Sequence, residues 1–227
     1  MKKFLFFVVS CWLLASVSFG QKIVPRNDSN ETFQIPNAAR TEISDNEWRI
    51  LTDALAAENW DKAAFYASGL LNRLKIDNDK KQVAQLRYFY LFALAGKILK
   101  FTDEKKNIEE EAAWKELNKA VETFIGKEFV LPPRQYMGDC AQSLNYICKV
   151  KNNEKAFKIT ATNKNGTGIH SFDYVLFDKK IDLKTYLDKQ TFLGGTLKKA
   201  EFNDDMKKPW VMYLIFEKGF ARVVVNE

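Results

Sequence analysis

Apolar residues recur at three- and four-residue spacing from Ser44 to Ile125, a periodicity that predicts four helices. Ser44 followed by Glu47 is a capping-box pattern, after which Trp48, Leu51 and Leu55 share one helical face. Trp60, Ala63, Ala64, Ala67, Leu70, Leu71 and Leu74 form a second stripe, closed by the polar run Asp77 to Lys81. A third helix is expected over about 82–100, with Val83, Leu86, Tyr90, Ala93, Leu94 and Ile98 inward. The fourth is expected over about 108–125, with Leu117, Ala120, Val121 and Phe124 inward and Gly126 as its stop.

The period changes after Pro132-Pro133. Short alternating runs at 144–150, 156–162, 172–177, 191–197, 210–216 and 220–225 predict five to six strands. Glu217-Lys218-Gly219 is expected to be the hairpin turn joining the last two, with Gly219 supplying a positive φ. Ile181 to Lys189 fits a short helix between the third and fourth strands. Gly194-Gly195, inside a strand, reads as a bulge or barrel bend. The fold class is therefore α+β: a bundle of about four helices in hairpins over 43–126, then a small antiparallel β-domain over 127–227.

Two resemblances attach to this pattern. The stretch Asn59-Trp-Asp-Lys-Ala-Ala-Phe-Tyr-Ala, followed by Leu70-Leu71 and Asp77-Asn78, resembles the second helix of a tetratricopeptide repeat and the turn after it. Leu86 to Gly96 is similar to the first helix of a following repeat, with small residues where two helices must approach closely. No more than two such repeats can be counted, so the resemblance implies a short repeat-like bundle over about 44–100 that presents a face to a protein partner. The β-domain resembles an OB-fold in element order alone, three strands, a helix, then further strands, and a small sandwich fits that order as well.

Residues 1–20 have the order of a secretory signal peptide: basic Lys2-Lys3, an apolar run from Phe4 to Leu14, and small Ser18 and Gly20 ahead of Gln21. Val8-Val9-Ser10-Cys11 also resembles a lipoprotein box, but lipidation at Cys11 would leave Trp12-Leu-Leu-Ala as an apolar tail, so cleavage near Gly20 is the better fit. Serines interrupt the run before the roughly 20 apolar residues that a membrane span needs. The expected mature protein is exported, to the periplasm or beyond, with no integral span, and 21–42 is expected to be a disordered polar leader. Removing Lys2 and Lys3 lowers the formal charge from +6 to +4, spread along the chain, which argues against nucleic acid as a partner. It also leaves Cys140 and Cys148 in an oxidising compartment, either as a disulfide or as two separately buried thiols.

Motifs that dictate a reaction are missing: the chain has no phosphate loop, dinucleotide fingerprint, serine elbow or zinc helix. Two cysteines and the single His170 are too few for a metal site, and no cofactor is expected. Glu109-Glu110-Glu111 at a helix start is explained by the helix dipole. The candidate contact residues are aromatic and basic: Tyr88 and Phe92 on the third helix, which could line a groove or pack on the β-domain, and Trp210 with Lys198 and Lys199. The leading expectation is a non-enzymatic binding or scaffold protein of the cell envelope, docking a protein through its helical hairpins. The alternatives are glycan or anionic-polymer binding by the β-domain, and a hydrolase in which His170 serves as base to a cysteine.

Overall fold

The computed structural model describes residues 42–74, 81–138, 144–203 and 210–224. The signal peptide, most of the leader, Cys11 and Cys140 lie outside the described residues. Helices come first: α1 (Asp45–Ala56), α2 (Trp60–Leu74), α3 (Lys81–Asp103) and α4 (Asn107–Phe124). Ser44 caps α1 as its spacing predicts, Glu47 N–H donating to Ser44 Oγ at 3.3 Å while Ser44 N–H donates to Glu47 Oε2 at 2.9 Å. Arg73, near the end of α2, forks onto the same carboxylate, with Nη2 at 3.1 Å from Oε2, and Nη2 also donates to the Glu42 carbonyl at 3.0 Å. This clamp joins the start of α1 to the end of α2.

The hydrogen bonds from Arg73 hold the Glu47 carboxyl down at about 2. Because the folded value lies below the ordinary 4.5, the clamp's contribution is complete above about pH 4.5 and disappears as pH falls toward 2. Glu47→Ala should lower stability at pH 7 by about 1–2 kcal/mol. Urea unfolding at pH 7 and pH 3 checks this, and the difference between variant and wild type should shrink at the lower pH.

Seven strands follow: β1 (Glu128–Val130), β2 (Arg134–Gln135), β3 (Ile147–Val150), β4 (Asn153–Thr162), β5 (Ile169–Leu176), β6 (Gln190–Phe202) and β7 (Trp210–Val223). They form one sheet in the order β1-β6-β7-β5-β4-β3, with β2 pairing β6 beside β1. Helices first and strands after give the α+β class that the sequence predicts, and three finer expectations need correction. The sheet is mixed, because β7 lies between β6 and β5 and runs parallel to β5. Glu217-Lys-Gly219 does not reverse the chain; Lys218 takes the left-handed backbone at φ 51° and the strand continues through a bulge opposite Gly194-Gly195. The helix expected at 181–189 is a single 3-10 turn, Leu183–Thr185, capped by the Asp182 side chain.

Tyr136, just after β2, bridges both Ile147 of β3 and Leu187, and Met137 N–H donates to the Ile147 carbonyl at 3.0 Å. The sheet thereby closes on itself at that end. At the other end α3 covers it: the fully buried Arg87 donates from Nη1 to the Glu128 carbonyl of β1 at 2.7 Å. The boundary expected between residues 126 and 127 falls between α4 and β1, but one apolar cluster spans both sides of it. Phe124 of α4 meets Phe129 of β1 at 6.0 Å between ring centroids, and Phe129 meets Phe216 of β7 at 5.3 Å. The described helices and strands belong to one compact unit, residues 34–227. No described helix is long and apolar enough to cross a membrane.

Candidate functional site: the two faces of β5

Alternation along β5 sends Ser171, Asp173 and Val175 toward the core and leaves Phe172 and Tyr174 half-buried on the opposite face. Each face gathers a distinct set of side chains.

On the core side, Tyr88 of α3 is 3% exposed and donates its hydroxyl to Asp173 Oδ2 at 2.7 Å. Burial raises the Asp173 carboxyl to about 6, against the smaller opposing effects of Ser171, Tyr88 and the Arg134 guanidinium. The same burial, together with the Asp173 charge, raises the Tyr88 phenol well above its ordinary value. His170 is fully buried; its Nδ1 lies 2.9 Å from the Phe92 carbonyl and must be the protonated nitrogen, since a carbonyl only accepts. Phe92 stacks on the imidazole at 4.0 Å and Trp60 meets it edgewise at 4.8 Å. This apolar casing lowers His170 to about 4. His170 Nε2, Ser171 Oγ and Asp173 Oδ1 have no hydrogen-bond partner among the described residues. The cluster is a buried polar joint between α3 and β5.

On the outward side, Phe172 of β5 and Tyr213 of β7 stack at 4.8 Å, Trp210 stands edgewise to Tyr213 at 4.7 Å, and Tyr174 stacks on Tyr213 at 6.2 Å. All four are half-buried. Register sets Lys158 of β4 beside Tyr174 and Thr160 beside Phe172, while Lys199 and Glu201 of β6 flank Ile215 and Tyr213 on the other side. The result is a row of rings along two interior strands.

The sequence candidates separate accordingly. Tyr88 does not line a groove: it is committed to Asp173, and Phe92 is committed to His170. Trp210 lies in the ring row. Lys198 and Lys199 are each met by a carboxylate, Glu217 at 3.0 Å and Glu201 respectively, while Lys207 and Lys208, the other basic residues expected beside Trp210, lie outside the described residues. Cys148 is disulfide-bonded. Around His170 the contacts are the Phe92 carbonyl and the rings of Phe92 and Trp60. Glu109 to Glu111 divide: Glu110 is buried, and Glu111 pairs with Lys115 at 2.7 Å. Among the described residues no group of three His, Cys, Asp or Glu could hold a metal ion.

No local pattern in the sequence marks Phe172, Tyr174 and Tyr213 as partners of Trp210. Their alternation with core residues was visible in Phe172-Asp-Tyr174, but it is the parallel β5–β7 pairing that assembles them. Comparisons with protein-family models, curated proteins and solved structures find no match for this chain.

Proposed function

We propose that this is an exported, non-enzymatic binding protein of the cell envelope whose contact surface is the ring row on β5 and β7, and that it takes glycan chains. The observation that carries the reading is the row itself: four aromatic side chains half-open on one sheet face, two of them with phenol hydroxyls that can hydrogen-bond a sugar. The strands beneath are interior, their main chains already bonded on both sides, so the face offers no edge to which a peptide could add as a strand. Side chains would carry the recognition.

The intact mature protein should be retained by a panel of immobilised envelope polysaccharides. Trp210→Ala and Tyr213→Ala should each weaken retention at least tenfold while the variants stay folded, as circular dichroism would show. Wild-type retention that neither substitution alters would remove this face from the reading. A protein partner on the helical side is the second reading, favoured by Phe65 on α2 and Ile108 on α4, the latter 82% exposed.

A further inference from the structure

The charges around the ring row are not all compensated. Lys198 and Lys199 have acidic partners, but Lys158, which borders Tyr174, has none among the described residues, nor do Arg222 and Lys81 farther along. Leu214, Phe216 and Ala221 of β7 face the core, which directs Tyr213, Ile215, Glu217, Phe220 and Arg222 to the same outward face, continuous through the bulge. Arg222 pairs across with Phe192 of β6, and Lys81, from the start of α3, lies over that ring at 4.4 Å. Phe220 rests on Gly194, where a Cβ would displace it. A second aromatic group, flanked by two cations without acidic partners among the described residues, thus continues the row at the far end of β7. At about 3.3 Å per residue, Tyr213 and Arg222 are separated by roughly 25–30 Å of strand.

Resting on the glycan reading above, we infer that the ligand is an acidic polysaccharide, several sugar units of which lie along β7 with their carboxylate or sulfate groups met by Lys158, level with Ile215, and by Arg222 and Lys81 at the far end. The length of the face requires a chain, because a single sugar would reach only one end. The charge pattern favours an acidic one, because Lys198 and Lys199 are already neutralised while Lys158, Arg222 and Lys81, without acidic partners among the described residues, are spaced apart along the face.

Polygalacturonic acid and its carboxyl-reduced form share a backbone and differ in charge, so affinity electrophoresis of the intact mature protein against both isolates the charge contribution. The acidic form should bind at least tenfold tighter, with an advantage that shrinks as salt rises. Lengthening the acidic oligomer from two to eight units should strengthen binding. The double variant Lys158→Gln, Arg222→Gln should lose most of the preference for the acidic form while binding the reduced form as before, and Tyr213→Ala should weaken both. Equal binding of the two forms, unaltered by the cation substitutions, overturns the inference and leaves the ring row in place. Failure of wild type to bind either form, while other polysaccharides are retained through Tyr213, overturns acidity alone; failure on every polysaccharide overturns both.

Discussion

Asp173→Asn and His170→Phe should tilt the pH dependence of stability in opposite directions. His170 is held near 4, below its ordinary 6.5, so its folded environment favours the neutral ring; that contribution is complete above about pH 6.5 and is lost as pH falls toward 4. Asp173 is held near 6, above its ordinary 3.8, so its environment favours the protonated acid; that contribution is complete below about pH 3.8 and is lost as pH rises through 6. Both groups are fully buried, and each shift corresponds to about 3 kcal/mol. In the wild type the two run against each other between pH 4 and 6 and nearly cancel.

Asp173→Asn keeps the side-chain shape and removes the titration, so acidification from pH 6.5 to 4 should cost the variant about 3 kcal/mol. His170→Phe keeps a ring against Phe92 and Trp60, and the same acidification should stabilise it by a similar amount. Urea unfolding of the three proteins at pH 4, 5, 6 and 7 measures both slopes. Variants whose profiles run parallel to wild type would show that these groups are not buried in the joint between α3 and β5.

The second large effect is expected at Gly194→Ala. The added Cβ would collide with the Phe129 carbonyl oxygen of β1 and with the ring tip of Phe220. A flexible side chain could turn away, but the Phe129 carbonyl belongs to the strand paired with β6. The clash therefore displaces β1 from β6 and loosens Phe129 from its contact with Phe216. We expect a loss of about 3 kcal/mol and a melting temperature lower by about 6–12 °C. Thermal unfolding with unchanged midpoint would mean that β1 does not lie over Gly194. Gly195 is similarly constrained, with the Glu217 carbonyl 2.7 Å from the position of a Cβ, and the pair shows why this strand carries two glycines where it bends.

Local signals made the helices legible. The Ser44–Glu47 box and the stripes ending at Leu55, Leu74 and Phe124 are short-range patterns, and each places a helix within a few residues of where it stands. The β half was less legible because its defining features are non-local. Nothing in Glu217-Lys-Gly219 distinguishes a turn from a bulge; the difference is made by Gly194-Gly195, more than twenty residues earlier, which bends β6 to match. The parallel pairing of β5 with β7 follows from how β6 and β7 fold back together, which strand propensity does not encode.

The aromatic content of α3 was equally ambiguous in sequence. Tyr88 and Phe92 lie one turn apart and would suit either a groove or an interface; what decides is Asp173, 85 residues beyond Tyr88, whose buried carboxylate needs the phenol as a donor. Trp210 was visible as a candidate, yet two of the lysines expected to make its surroundings basic, Lys198 and Lys199, are paired with acidic neighbours. Lys158 and Arg222 reach the same face only through strand register, which local sequence does not show.

The proposed binding face is the outward side of β5 and β7. Titrating the isotopically labelled mature protein with an acidic oligosaccharide, and following backbone and aromatic resonances, tests it most directly. Progressive shifts are expected at Phe172, Tyr174, Trp210, Tyr213, Phe220 and Arg222, with α1, α2 and α4 unmoved. Shifts concentrated on the helices around Phe65 and Ile108, with the ring row silent, would contradict it.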